Sequence, residues 1–191
     1  MKRKNSGALW AIVILFATLL CAVIPTEAEA AIYSDTLRLH IRARSDSEED
    51  QQIKLAIRDR LLERFGQYPT PCNKNEAVLL LSEDIDEIEE TVNGWLFELG
   101  CDYTATVELA VEWFETRDYG DFSLPAGEYT TLNVELGGGG GENFWCVMYP
   151  PMCRDAATGV ELYSGAEASL IYGGKYKVKF KLLELCTSLA K

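Results

Sequence analysis

The order in which hydrophobic periodicity switches along the chain constrains its fold more than any other feature. Thr36-Leu37-Arg38-Leu39-His40-Ile41-Arg42-Ala43 alternates strictly. Leu37, Leu39, Ile41 and Ala43 fall on one face and Arg38, His40 and Arg42 on the other, as in a strand with one buried face. Ser45 stands three residues before Glu48, a capping pair, and predicts a helix that follows directly. Ile53, Ile57, Leu61 and Phe65 recur along it until Gly66. After the proline-broken Tyr68-Pro69-Thr70-Pro71, one long second helix is predicted over residues 76–99, with Leu81, Ile85, Ile88, Val92, Trp95, Leu96 and Leu99 inward and Gly100 as a left-handed stop.

From residue 103 the period returns to two, with Tyr103, Ala105, Val107, Leu109, Val111 and Trp113 sharing a face. A turn at residues 117–121 leads through Leu124-Pro125-Ala126-Gly127-Glu128-Tyr129 to a strand carrying Leu132, Val134 and Leu136, expected to pair with the one before. The run Gly137 to Gly141 reads as a flexible connector, and residues 144–149 as a short strand stopped by Pro150-Pro151. Near the end Tyr176, Val178, Phe180 and Leu182 alternate with lysines before Leu185 and Leu189 take helical spacing. A strand turning into a C-terminal helix is expected there. This order is not a βαβα alternation, so the expectation is α+β, a mostly antiparallel sheet with two N-terminal-half helices packed on one face.

The first thirty residues differ in composition from the rest. Lys2, Arg3 and Lys4 precede an uncharged run over residues 6–26, the layout of an export segment. Ala28-Glu29-Ala30 supplies small residues at the two positions a signal peptidase reads, which would make Ala31 the mature start. The apolar stretch over residues 7–25 is also near the ~20 residues of a spanning helix, so a retained membrane anchor is the other reading. Both place a single domain, residues 31–191, outside the cytoplasm. Without its first thirty residues the chain keeps 15 basic and 28 acidic side chains, a net charge of about −13. Nucleic acid, which is bound by displacing counterions with clustered Lys and Arg, is excluded as a partner on charge.

Catalytic chemistry finds little to work with. His40 is the one imidazole, on a strand face beside two arginines. A triad with Ser45 and Asp46 would need near neighbours in sequence to converge. The carboxylates at Glu83, Asp84, Asp86, Glu87, Glu89 and Glu90 lie mainly off the apolar stripe, as a solvated helix face does. The glycine run lacks the Lys-Ser or Lys-Thr of a phosphate loop. No enzyme, metal, cofactor or small-molecule substrate is expected. Cys146 and Cys153 flank the Pro-Pro turn, where an exported location permits a disulfide; two buried free thiols are the alternative. Rigid rings and prolines make candidate partner-binding residues of Leu124, Pro125, Glu128 and Tyr129, of Trp145, Pro150 and Pro151, and, on the first strand, of Arg38, His40 and Arg42. The competing reading of Trp145, Val147 and Tyr149 is as core.

Three blocks carry a resemblance. Leu37-Arg38-Leu39-His40-Ile41 runs through Ser45-Asp46-Ser47 to Asp50-Gln51 and Lys54-Leu55. Tyr119-Gly120-Asp121-Phe122 leads to Leu124-Pro125-Ala126-Gly127-Glu128-Tyr129, and Phe144-Trp145-Cys146-Val147-Met148-Tyr149-Pro150-Pro151-Met152-Cys153 closes the set. Together they resemble the stage II sporulation protein R family of endospore-forming bacteria. The resemblance implies a non-enzymatic signalling protein, secreted from the forespore into the intermembrane space. There its partner would be a membrane-embedded aspartic protease of the mother cell, which it activates to remove the pro-sequence of the mother-cell sigma factor. A cell-wall hydrolase and a wall- or glycan-binding module are the alternatives.

Overall fold

The computed structural model describes Gly7 and residues 9–16, 27–119 and 123–149. Residues 9–16 are helical, and their apolar side chains, Trp10 and Phe16 among them, stay exposed. No helix among the described residues is long and apolar enough to cross a membrane. The elements that follow are α1 (Glu27–Asp35), β1 (Leu37–Arg42), α2 (Glu48–Phe65), α3 (Lys74–Glu83), α4 (Ile85–Glu98), β2 (Ala105–Phe114), β3 (Arg117–Asp118), β4 (Ser123–Leu124), β5 (Gly127–Leu136) and β6 (Asn143–Tyr149). The expected α+β class holds.

Among the described residues four strands form one sheet in the order β2-β5-β1-β6, and β3 pairs with β4 in a separate two-stranded ribbon. β2 and β5 pair antiparallel, as expected, and β1 and β6 do likewise, whereas β1 and β5 run parallel. The sheet is therefore mixed but mostly antiparallel. Its first face holds the main core, where Leu37, Leu39 and Ile41 of β1 and Leu132, Val134 and Leu136 of β5 meet Ile57 and Leu61 of α2, Leu81 of α3, and Ile88, Val92 and Leu96 of α4. Burying apolar side chains of this size contributes roughly 1.5–3 kcal/mol each before the entropy of ordering them is subtracted.

Several local expectations need correction. The cap of α2 is Ser47, which accepts from the Asp50 N–H, while Ser45 accepts from the Ser47 N–H and donates to the Asp50 carboxylate. The long second helix is two helices broken at Asp84 (φ −102°, ψ 5°), whose carboxylate accepts from the Tyr68 hydroxyl at 2.7 Å. Leu81 and Ile85 remain four residues apart across the break, so the apolar stripe runs through it unmarked. Gly100 does adopt a left-handed φ of 79°.

The glycine run is an ordered turn rather than a flexible connector. Gly137, Gly138 and Gly139 take φ of 58°, 91° and 60°. Gly137 N–H donates to Thr104 O, Gly139 N–H to Leu136 O and Gly141 N–H to Ala43 O. The strand predicted over residues 144–149 is β6; Pro150, Pro151 and residues 175–190 lie outside the described residues.

Cys146 is disulfide-bonded, and Cys153, its predicted partner, lies outside the described residues. Cys72 and Cys101 are free, the first exposed and the second half-buried. Alkylation of the native chain without reductant is expected to label Cys72 first and to leave Cys146 untouched, read by peptide mass mapping; a labelled Cys146 would contradict the bonded state.

Candidate functional site

The second face of the sheet carries a smaller cluster of charged and aromatic groups. Strand alternation sends Arg38, His40 and Arg42 to it from β1, Glu108, Glu112 and Phe114 from β2, Tyr129 and Asn133 from β5, and Trp145 and Val147 from β6. Ile32 of α1 and Leu124 of β4 complete an apolar patch with Phe114, Tyr129 and Val147. Both faces of β1 are thus covered. Arg38 and His40, expected on an open polar face, are buried at 0% and 4% exposure.

Arg38 is held as a cation between rings. Its guanidinium carbon lies 3.8 Å from the Phe114 centroid and 5.0 Å from that of Tyr129, and Nη2 donates to the Tyr119 hydroxyl at 2.6 Å. Among the described residues its Nε and Nη1 have no hydrogen-bond acceptor. Burial pulls its proton affinity below the ordinary arginine value, and nearby Tyr119 and Tyr129 oppose that shift.

His40 bridges three strands. Nδ1 meets Glu112 Oε2 at 2.8 Å, Nε2 meets Asn143 Oδ1 at 2.9 Å, and the ring stacks on Trp145 with centroids 3.6 Å apart. Glu112 comes from β2, His40 from β1 and Asn143 from β6, so one imidazole ties strands that do not all neighbour one another. Both ring nitrogens are engaged, and Trp145 covers one face of the ring. Arg42, half-buried at the end of β1, pairs with Glu135 at 2.6 Å.

The predicted surface residues divide accordingly. Leu124, Pro125 and Tyr129 are buried and serve as packing, not as an exposed docking patch. Tyr129 donates to Pro125 O at 2.6 Å, and Tyr33 of α1 donates to Ala126 O at 2.8 Å. The Tyr33 ring lies so close to Gly127 that an added Cβ would sit 2.6 Å from it. The Leu-Pro-Ala-Gly-Glu-Tyr block is therefore a seat for α1, with Glu128 alone exposed. Trp145 is half-buried, between the core and surface readings. Ala28, Ala30 and Ala31, the candidate cleavage residues, lie within α1, no more than four residues before the buried Ile32. Sequence reasoning missed Ile32, Tyr33, Glu112, Phe114, Tyr119 and Asn143. The even positions of β2 put Glu112 and Phe114 on the side away from the helices, which was the available signal for two of them.

Burial also raises phenols here: Tyr33 is pushed up to about 12, first by desolvation and then by Glu29. A folded value above the ordinary 10 favours the protonated fold, so this stabilisation is complete below pH 10 and is lost as pH rises from 10 towards 12. Desolvation moves Tyr119 in the same direction. The urea midpoint is expected to fall across that alkaline window, and Tyr33→Phe to flatten part of the fall. An unchanged slope in the variant would remove Tyr33 as a cause.

No group of three or more His, Cys, Asp or Glu side chains among the described residues is placed to hold a metal ion. The profile of the family described as stage II sporulation protein R matches residues 33–158, from the Tyr33 seat on α1 through β6 and beyond. The chain belongs to the stage II sporulation protein R family. A curated relative, stage II sporulation protein R of Bacillus subtilis (strain 168), is 33% identical over 123 residues, which cover 64% of this chain and 55% of the relative. The chain thus matches about half the length of that relative. No solved structure matches. Membership in the stage II sporulation protein R family assigns the chain a role in sporulation. All three blocks that carried the resemblance lie within the matched span, and the described parts of the second and third build the cluster around Phe114.

Proposed function

We propose that this chain is an exported, non-enzymatic sporulation signal that acts by touching a membrane-embedded aspartic protease of the mother cell. The contact activates the protease to remove the pro-sequence of the mother-cell sigma factor. The family match over residues 33–158 carries this reading. The leader supports it, since residues 9–16 are apolar and exposed rather than part of either core. In this account residues 1–30 take the domain out of the forespore, as a cleaved signal peptide or as an anchor, and the domain meets its partner in the intermembrane space. The buried His40, with both nitrogens engaged, serves the fold. The test is complementation of a strain lacking its own activator, following conversion of the sigma-factor precursor by immunoblot. Restored conversion is expected; unconverted precursor together with cleared cell wall would replace the activator with a hydrolase.

A further inference from the structure

We propose that the outer edge of β2, from Leu109 to Trp113, is a docking edge that takes an extended segment of a partner protein in which apolar and basic residues alternate. The partner rests on the activator reading; the edge itself rests on geometry. Among the described residues β2 is the first strand of the sheet and pairs with β5 alone, in unbroken register from Ala105↔Leu136 to Phe114↔Gly127. Ala105 N–H donates to Asn93 Oδ1 at 2.7 Å and Val107 N–H to Glu89 Oε2 at 2.9 Å, both side chains reaching over from α4. These donors therefore point away from β5. Residues two apart in a regular antiparallel strand point the same way, so the N–H and C=O of Leu109, Val111 and Trp113 also face outwards.

Half of this edge is covered and half is not. α4 runs antiparallel to β2, Asn93 over Ala105 and Glu89 over Val107, and it begins at Ile85. A helix advances ~1.5 Å per residue and a strand ~3.3 Å, so α4 ends near Leu109 and cannot reach Val111 or Trp113. That is why two residues expected in the core are 68% and 62% exposed. Natural edges are usually blunted by lysine, proline, bulges or a covering element. This stretch has no lysine, proline or bulge, and no covering element among the described residues.

Charge selects the occupant. Glu108 and Glu112, the latter also holding His40 Nδ1, flank the open stretch on the opposite sheet face, and exposed Glu115 and Glu128 lie near its end, with Arg117 just beyond the strand. An added strand would lay alternate side chains beside Val111 and Trp113 and the intervening ones beside Glu108 and Glu112, which suits apolar residues alternating with Lys or Arg. A second copy would bring the same glutamate row against itself, and an anionic membrane would meet the same sign.

The probe is a synthetic peptide alternating lysine with valine, added to the full chain, with a glutamate–valine peptide as control. Binding is read by amide hydrogen exchange. Exchange at Leu109, Val111 and Trp113 is expected to slow roughly tenfold at a peptide concentration about ten times Kd, with no effect of the acidic peptide. Val111→Pro removes an outward donor without touching the β5 ladder, and Val111→Lys keeps the donor while adding a like charge; both are expected to abolish the protection. In the precursor assay both variants are expected to lose conversion. No protection by the lysine peptide overturns the proposal, as does full conversion by variants that no longer bind it. Protection already present in the free chain and lost in Lys177→Glu/Lys179→Glu/Lys181→Glu assigns the edge to the chain's own alternating residues 176–182 and also overturns it. A native chain that binds the peptide yet converts no precursor refutes the activator reading instead, leaving the edge standing.

Discussion

Replacing Arg38 with alanine is expected to cost the fold about 3 kcal/mol, whereas methionine at the same position is expected to leave stability within about 1 kcal/mol of the native chain. The two substitutions separate volume from charge. Alanine empties a fully buried site between Phe114 and Tyr129, and a cavity walled by rings cannot collapse cheaply. Methionine refills most of that space and keeps a polarizable group against the aromatic faces. What it removes is a cation that gains from two rings and the Tyr119 hydroxyl but is desolvated, with Nε and Nη1 unpaired among the described residues. The ring contacts are worth ~0.5–2 kcal/mol each, and desolvating a charge costs several, so the opposing contributions come near to cancelling. Urea midpoints at unchanged slope measure the difference. If methionine proves as damaging as alanine, the cation itself holds the second cluster together.

The elements were largely legible in the sequence because periodicity survives folding: β1, α2, β2, β5 and β6 stand where alternation or helical spacing put them. Two kinds of information were not. Periodicity reports which side chains share a face, not whether anything covers it. Arg38 and His40 alternate like solvent-facing residues yet are buried, because α1 and the rings of Phe114, Tyr129 and Trp145 cap that face. Val111 and Trp113 alternate like core residues yet are exposed, because α4 starts too late to reach them. Backbone breaks that keep the register are equally silent, as at Asp84. The candidate site suffered most, since its cluster joins residues from Ile32 to Val147 that only the sheet order brings together. The family blocks were recognisable as sequence; what the described part of the second block does, seating Tyr33 on Gly127, is a matter of packing distance.

Gly141→Ala is expected to destabilise the chain by about 3 kcal/mol, the largest effect of any single methyl group added along the glycine run. The reason is contact, not conformation, because Gly141 does not share the left-handed φ of Gly137 to Gly139. A Cβ there would overlap the Ser45 carbonyl and come within 2.9 Å of its Cα. A backbone group cannot rotate aside as a side chain does. Relief would require moving the β1–α2 connection, where Gly141 N–H donates to Ala43 O at 2.8 Å and Ser45 bonds Asp50 in the first turn of α2. Glu142 joins the same knot: its N–H donates to Asp46 Oδ1 at 2.7 Å and its carbonyl accepts from Lys54 Nζ at 3.0 Å. Gly138, by contrast, meets nothing within 4 Å, so Gly138→Ala adds only the strain of its φ of 91° and is expected to cost about 1 kcal/mol. Comparing the two by denaturant titration distinguishes an anchored turn from a loose connector. Equal, negligible losses at both positions would show that residues 137–141 do not hold β5, β6 and the cap of α2 together.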